Sequence, residues 1–303
     1  MKKIIALFVS LFFLFGCVTS EIFAGTSTFN AFYPAQIGNS ALHGSLSGKQ
    51  TRILMIGNSY TLCNKSSLLL QKLCRSAGKN VKVTQVAKHG ASLEQHADPS
   101  TDTGKKIDSL LKNKKWDYVI LQDRHHNPIE NPNSLKNAVR DLAPRIKKSG
   151  AEILFFMTWA PGIRHKDYQT YQDQVKNPID YQKKVASVYE SIAAEVKGTV
   201  VPVGFAFMHA HRAVPRVRLL RRDQSHPTFA GSYLMASTIY ATLFEDPAPS
   251  YYATDRLRPS TAKTLLRVAK KTVSNYKKPG RHKMHNCILC LPGFLFLFSL
   301  FIC

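Results

Sequence analysis

The alternation of apolar and polar segments after Thr51 constrains the fold of this chain more than any other feature. Short runs of consecutive apolar residues alternate with longer segments that carry one polar face. A strand that is apolar at every position is buried on both faces, which is typical of parallel sheets. The pattern predicts five strands, at residues 52–56, 81–86, 118–122, 152–158 and 199–203. It predicts helices at residues 66–77, 105–112, 134–148, 181–196, 229–244 and 260–276.

Strands that alternate with helices along the chain form a parallel sheet with helices on both faces. We therefore expect an α/β protein, a three-layer α/β/α sandwich around a sheet of about five parallel strands. The chain has 303 residues, of which 44% are hydrophobic, so it can bury the core of one ordinary domain.

Two short segments far apart in the sequence supply the groups of a serine-based catalytic site. The first strand breaks at Gly57-Asn58-Ser59, and Asp223-Gln224-Ser225-His226-Pro227 precedes the last long predicted helix of the sheet region. A serine hydroxyl is a weak nucleophile until a base takes its proton, and the base needs a third group to orient it. The sequence therefore predicts Ser59 as nucleophile, His226 as base and Asp223 as the residue that orients His226.

The Ser59 turn lacks the second glycine of the Gly-x-Ser-x-Gly elbow, because Thr61 stands at that position. Four blocks in order resemble the SGNH, or GDSL-like, hydrolase superfamily instead: the Ser59 turn, Gly90, the Leu121-Gln122 pair and the Asp-x-x-His-Pro segment. The resemblance implies a flavodoxin-like sandwich and an oxyanion hole made by the amides of Ser59 and Gly90 and by the side chain of Gln122. Gln122 stands where most of the family has asparagine.

The resemblance further implies a serine esterase that forms an acyl-enzyme and needs no cofactor. Acetyl groups on glycans are the favoured substrate class. Two alternatives stay open at this point, namely a glycan O-acyltransferase with the same triad and a non-catalytic, surface-tethered module that binds an anionic polymer. Asn58, His125 and Trp159 are candidate substrate-binding residues.

The chain carries a formal charge of +23. Such a charge attracts polyanions, for example an anionic envelope polymer or a lipid surface, although a solvated basic surface explains it equally well. Five arginines lie between Arg212 and Arg222, next to Asp223. They are expected to attract an acidic substrate or to lower the pKa of Asp223. No nucleic-acid-binding motif accompanies the charge, so we expect no nucleic-acid partner.

The histidines do not form a familiar metal motif. His125 and His126 are adjacent, so their side chains are expected to diverge, and neither this pair nor His209 and His211 belongs to a His-Glu-x-x-His or paired Cys-x-x-Cys zinc motif. We therefore expect no metal. His96 is expected to be a half-exposed helical histidine, with a hydrogen bond to the Ser59 turn as the alternative.

The first 24 residues indicate export. Residues 1–24 have the charged start and apolar run of a signal peptide, and Cys17 lies in a sequence that resembles a lipoprotein box. We expect a linker at residues 25–50, the hydrolase-like domain at residues 51–278, and a basic, then apolar, tail at residues 279–303 that is a peripheral appendage rather than an anchor. The predicted location is periplasmic, tethered to the outer envelope or secreted. Cys63 and Cys74 are expected to be free thiols.

Overall fold

The computed structural model describes residues 48–244 and 254–277. The predicted signal peptide and C-terminal tail lie outside the described residues, as does nearly all of the predicted linker. Among the described residues, none of the helices combines the length and the hydropathy needed to cross a bilayer.

A single five-stranded sheet organises the described residues, and all of its strand pairs are parallel. The strands are β1 (Thr51–Gly57), β2 (Val81–Ala87), β3 (Tyr118–Leu121), β4 (Glu152–Phe156) and β5 (Thr199–Val201). Their order in the sheet is β2-β1-β3-β4-β5, the order of flavodoxin-like doubly wound sheets. The predicted three-layer α/β/α fold is confirmed.

Helices follow the strands and cover the sheet. The longer helices are α2 (Ser66–Ser76), α4 (Asp102–Asn113), α6 (Pro132–Lys148), α8 (Pro178–Val196), α9 (Val203–Ala213), α10 (Phe229–Leu243) and α11 (Pro259–Lys277). Short helices lie at the carboxyl ends of the strands: α1 (Ser59–Leu62), α3 (Leu93–Ala97), α5 (Asn127–Glu130) and α7 (Asp167–Thr170). A 3-10 turn, Cys63–Lys65, joins α1 to α2.

Side chains of the central strands alternate between two apolar cores, one on each face of the sheet. Leu54 and Ile56 of β1 belong to the first core, with residues of α3, α4, α6 and α8. Ile53 and Met55 belong to the second core, with residues of α2, α9, α10 and α11. Because the central strands β1, β3 and β4 are covered on both faces, their buried residues form uninterrupted apolar runs, whereas the edge strand β2 also carries Lys82, Thr84 and Gln85.

The prediction was wrong around residue 203, which was assigned to the last strand. The strand β5 ends at Val201, and α9 begins at Val203 with Pro202 at its N-cap. Proline lacks the backbone N–H that a strand ladder needs, and it is well tolerated where a helix begins. The helix was missed because Val203, Phe205, Ala206 and Phe207 are all buried, so the segment has no polar stripe.

Gly231 of α10 allows this helix to approach a neighbouring loop closely. A Cβ atom at residue 231 would overlap the backbone carbonyl oxygen of Leu219 and would lie 3.0 Å from the Pro227 side chain. We expect Gly231→Ala to lower the free energy of unfolding by about 1–3 kcal/mol, because a backbone atom cannot move aside as a side chain can. Urea denaturation measures the change. Gly231→Ser should be at least as destabilising, and a Gly231→Ala protein as stable as the wild type would contradict this account of the packing.

Candidate catalytic site

Ser59 lies directly beyond the carboxyl end of β1, at the first position of α1. In the strand order, β1 lies between β2 and β3. The chain runs from β1 to β2 on one side and then crosses to β3 on the other side, so the strand order reverses at β1. The carboxyl edge at such a switch point is where open α/β sheets bind ligands. Ser59 is half-buried at this edge.

The buried side chain of Asn58 fixes the turn that presents Ser59. Its Oδ1 accepts a hydrogen bond from the Tyr60 amide (3.1 Å), and its Nδ2 donates to the Ala91 carbonyl (3.1 Å). Asn58 is therefore an N-cap of α1 and a tie to the loop after β2. It was predicted as a substrate-binding candidate, but only 5% of its surface is exposed and its polar atoms are bonded within the protein.

Gln122, the predicted third oxyanion donor, is also committed to the Ser59 turn. Its Oε1 accepts from the Asn58 amide (3.0 Å) and from the Thr61 hydroxyl (2.9 Å), which fixes the orientation of its side-chain amide. Its Nε2 then donates to Asn58 Oδ1 (3.0 Å) and to the carbonyl of Asp123. Both amide hydrogens have partners, so in this arrangement neither is available to an oxyanion. The Gln122 side chain stabilises the Ser59 turn and does not face an oxyanion.

The structure brings His226 and Asp223 to Ser59 in the predicted order. His226 Nε2 lies 2.8 Å from Ser59 Oγ, and His226 Nδ1 lies 2.8 Å from Asp223 Oδ2. The second oxygen, Asp223 Oδ1, accepts from the amides of Ser225 (3.0 Å) and His226 (2.9 Å). Because the carboxylate accepts the Nδ1 hydrogen, Nε2 of the neutral ring is left as an acceptor for the serine hydroxyl.

Hydrogen bonds from its own loop keep Asp223 ionised. Partial burial acts to raise the pKa of Asp223, but the amides of Ser225 and His226 and the His226 ring outweigh it, so the pKa lies below its ordinary value. The expected lowering is therefore present, although the neighbouring arginines are not its main cause. The five arginines from Arg212 to Arg222 are all exposed.

Asn64 joins the serine segment to the histidine loop. It has a φ of 55°, in the left-handed region that asparagine tolerates better than most residues. Its Nδ2 lies within hydrogen-bonding distance of the Pro227 carbonyl (3.3 Å), the Thr228 carbonyl (3.1 Å) and the Ser232 hydroxyl (2.8 Å). Ser59 and His226, 167 residues apart, are thereby held at a fixed distance.

Trp159 packs against the loop that carries Asp223 and His226. Its indole Nε1 donates to the Ser225 carbonyl (3.0 Å), and its ring stacks between Tyr60 and Phe207 at centroid distances of 4.5 and 4.1 Å. Only 1% of its surface is exposed. The predicted role as a substrate-binding residue is not compatible with this burial.

The amides of Ser59 and Gly90 fit the predicted oxyanion role. Within the part of the chain that the structure describes, neither donates a hydrogen bond. Gly90 is exposed, with a φ of +68°, a conformation that glycine adopts without strain. Arg124, which the sequence did not single out, donates from Nε to the Gly90 carbonyl (2.7 Å) and so places a positive charge beside this loop.

Asp123 is a further supporting residue that the sequence reasoning missed. It is fully buried, and it accepts hydrogen bonds from the Leu93 amide and from Asn127 Nδ2, each at 2.8 Å. Burial raises its pKa, and these hydrogen bonds counteract that effect only in part. Asp123 ties the loop after β2 to the end of β3. An acidic residue that directly follows a buried strand was the available signal.

His96 is fully buried, and it contacts the turn that carries Ser59. The expectation of a half-exposed residue was wrong, and the alternative is observed, because His96 Nε2 lies 2.8 Å from the Gly57 carbonyl. A carbonyl only accepts, so Nε2 carries the hydrogen. Burial lowers the pKa of His96; the Gly57 hydrogen bond opposes this effect, and the charge of Lys88 adds to it.

A pH-dependent loss of stability should follow from this burial. A histidine whose pKa is lower in the folded than in the unfolded chain stabilises the fold at neutral pH, and this contribution is lost as the pH falls below about 6.5. We expect His96→Gln to lose less free energy of unfolding than the wild type between pH 8 and pH 5. Urea denaturation of both proteins at both pH values measures the two losses. The other titrating groups are the same in the two proteins, so their contributions cancel when the losses are compared. Equal losses in the two proteins would contradict the prediction.

His125 belongs to a second group of polar side chains at the same edge of the sheet. We call the set His125, His126, His165 and Asp167 the His–Asp cluster. Asp167 Oδ2 lies 3.1 Å from His125 Nε2, and Asp167 Oδ1 lies 3.0 Å from His165 Nδ1. His125 was predicted as a substrate-binding candidate, and its ring stacks on Tyr60 at a centroid distance of 5.5 Å. His209 lies elsewhere and bonds Thr272 (2.8 Å).

The described cysteines are free, as predicted, and Cys74 is fully buried.

Comparison with known proteins supports the fold and the family resemblance. No protein-family model and no curated protein sequence matches the chain. Among solved structures, a provisionally assigned SGNH hydrolase from Slackia heliotrinireducens is 28% identical, with a TM-score of 0.57, over 65% of this chain and 100% of that chain. A DUF4886 family protein from Bacteroides uniformis is 18% identical, with a TM-score of 0.65, over 76% of this chain and 97% of that chain. At this lower identity, the second match supports the fold alone.

The sheet order, the Ser59, His226 and Asp223 geometry and the similarity to a solved SGNH-type structure agree with one another. They support an ester-hydrolysing enzyme. In fold and in sequence, the chain therefore resembles the SGNH, or GDSL-like, hydrolases, as its four sequence blocks predicted.

Proposed function

We propose that this protein is an exported serine esterase that removes short acyl groups, with acetyl esters of glycans as the favoured substrates. The observation that carries the esterase assignment is the continuous hydrogen-bonded series from Ser59 Oγ through His226 to Asp223, with both contacts at 2.8 Å. A hydroxyl, a base and an orienting carboxylate in this order are what acyl transfer to serine requires.

Each group has a defined task in the reaction. Ser59 Oγ attacks the acyl carbon while its proton passes to His226 Nε2, and Asp223 stabilises the resulting imidazolium. The amides of Ser59 and Gly90 donate to the oxyanion. His226 then returns the proton to the departing alcohol oxygen. A water molecule, activated by His226, attacks the acyl-enzyme and releases the carboxylic acid and free Ser59.

The surface around the site favours a short acyl group. Of the large hydrophobic residues that the structure describes, only Leu68 and Ile163 are exposed. A long acyl chain would need a continuous apolar surface or channel to leave water. An acetyl group needs neither, and its small size fits a site whose histidine and aspartate side chains are 34% and 47% exposed.

The positive charge near the site supports a substrate ester whose alcohol portion is polymeric or acidic. Arg221 and Arg222 are exposed directly before Asp223, and Arg124 lies beside Gly90. These guanidinium groups attract an anionic glycan toward the cleft. The rate of hydrolysis of an acetylated acidic glycan should therefore fall as salt is added, because salt screens the attraction between exposed charges.

A fluorophosphonate probe tests the esterase assignment without knowledge of the substrate. We expect covalent labelling of one residue per chain, mapped by mass spectrometry to the peptide that contains Ser59, and release of acetate from an acetylated glycan. Labelling at another residue, or no labelling of a folded protein, would overturn the assignment. Mass spectrometry of the mature N-terminus separately tests export, which rests on the sequence of residues 1–24.

A further inference from the structure

We propose that the His–Asp cluster is a binding site for a divalent transition-metal ion of the zinc type, with His125, His126 and Asp167 as ligands. One ligand atom from each of these residues lies within 4.8 Å of the other two. His125 and His126 lie in the loop after β3, and Asp167 is the first residue of α7, which follows β4.

The chemistry of the donors selects this class of ion. Two imidazole nitrogens and one carboxylate oxygen suit Zn²⁺ and its neighbours, whereas Mg²⁺ and Ca²⁺ prefer oxygen ligands alone. In a tetrahedral site with bonds of about 2.1 Å, neighbouring ligand atoms are about 3.4 Å apart. His125 Nε2 and Asp167 Oδ2 already have a separation of 3.1 Å. The His126 ligand atom lies within 4.8 Å of both, and binding of an ion would draw it closer.

The contact between His125 and Asp167 has the distance of a polar contact but not the angles of a good hydrogen bond. His125 Nε2 is shielded from solvent and lies 3.1 Å from Asp167 Oδ2, yet the two groups do not meet hydrogen-bond geometry. A shielded polar atom with a poorly directed partner is costly. An ion between the two atoms would give the nitrogen a well-directed partner.

Further groups orient the proposed ligands. The Tyr181 hydroxyl donates to Asp167 Oδ2 (2.9 Å), and the Glu130 carboxylate lies 3.4 Å from His126 Nε2. Hydrogen-bonding partners of this kind hold metal ligands in place. The two carboxylates, Asp167 and Glu130, also offset the positive charge of the nearby Arg124. His165, which contacts the other Asp167 oxygen, is available as a further ligand or an orienting group.

The site lies beside the catalytic residues without sharing any of them. The Tyr60 ring stacks on His125 and meets His226 edge-on, at a centroid distance of 5.5 Å in each case. An ion at the His–Asp cluster would fasten the loops after β3 and β4 to each other and so stiffen one wall of the cleft. The sequence argument against a metal considered pairs of histidines close together in the sequence and familiar zinc motifs, and it lacked Asp167, 41 residues beyond His126.

The test is metal binding to the full chain, prepared without a polyhistidine tag and treated with a chelator. We expect one Zn²⁺ per chain by calorimetry and, with Co²⁺, visible absorption bands typical of a tetrahedral site. His126→Ala and Asp167→Asn should each weaken Zn²⁺ binding by at least about 10- to 100-fold. His211→Ala, which removes an exposed histidine outside the cluster, should leave the affinity unchanged.

Zn²⁺ binding that is absent, or that survives both cluster variants, would overturn the proposal. Should Asp167→Asn fail to fold, the comparison between His126→Ala and His211→Ala decides, because His126 is a half-buried residue at the rim. The readout is independent of the proposed esterase activity: Ser59→Ala protein should bind the ion as the wild type does.

Discussion

Ser59→Ala should lower kcat for short p-nitrophenyl esters by about 10⁴- to 10⁶-fold, the loss typical of a removed serine nucleophile. The effect is large because no acyl-enzyme can form without Ser59 Oγ, whereas the binding of substrate and the oxyanion donors remain. The hydroxyl bonds only His226 among the described residues, at 2.8 Å, so its removal should leave the fold intact. Initial rates and urea denaturation measure the two effects separately.

The matched control is Ser76→Ala, which makes the same chemical change at the end of α2. Ser76 Oγ bonds the Leu73 carbonyl, outside the site. The kcat of the Ser76→Ala protein should equal that of the wild type. A Ser59→Ala protein that keeps hydrolysis within about tenfold of the wild type would remove Ser59 as the nucleophile and the proposed function with it.

Asp223→Asn should lower kcat by about 10⁴-fold with little change in KM. The asparagine amide cannot accept the hydrogen of His226 Nδ1 in the way that Asp223 Oδ2 does at 2.8 Å. The ring is then no longer held in the tautomer that leaves Nε2 free to accept the Ser59 proton, and the imidazolium loses its counter-charge. Asparagine keeps the size of the side chain, and its carbonyl oxygen still accepts the loop amides, so the fold should persist.

Asp255→Asn serves as the control, because Asp255 is exposed and lies outside the site. It should leave kcat unchanged. The pH dependence adds a second check: because the pKa of Asp223 is low, the wild type should not lose activity through protonation of this carboxylate until the solution is strongly acidic. Near-normal kcat for Asp223→Asn would show that another group orients His226.

The architecture could be predicted because its signals are local. Strands buried on both faces are continuous apolar runs, and residues 52–56 and 152–156 fall within the predicted ranges for that reason. Ser59, Asp223 and His226 follow from their residue types and from their places at strand or helix ends. By contrast, α9 could not be recognised, because its first six residues, 203–208, are all apolar and have no periodic pattern to distinguish them from a strand.

The finer parts of the site depend on contacts between distant residues. Whether the Gln122 amide faces the cleft or the Ser59 turn is decided by Asn58 and Thr61, more than 60 residues earlier in the chain. The burial of His96 depends on where α3 docks. The His–Asp cluster needs the loop that carries Asp167 to fold back over β3. None of these positions has a local signal. The sequence offered the His96 hydrogen bond only as an alternative, assigned Gln122 to the oxyanion hole and did not single out Asp167.

The two cores divide the reaction between the layers of the sandwich. The elements that carry Ser59 and His226 continue into α2 and α10 on the second core, whereas Gly90 precedes α3, which packs in the first core. Under the proposed function, the proton-transfer groups are therefore carried by elements of one layer, whereas one of the two oxyanion amides, that of Gly90, is carried by a loop that enters the other layer. Sequence changes in the Gly90 loop should then alter the oxyanion site while Ser59, His226 and Asp223 keep their mutual contacts.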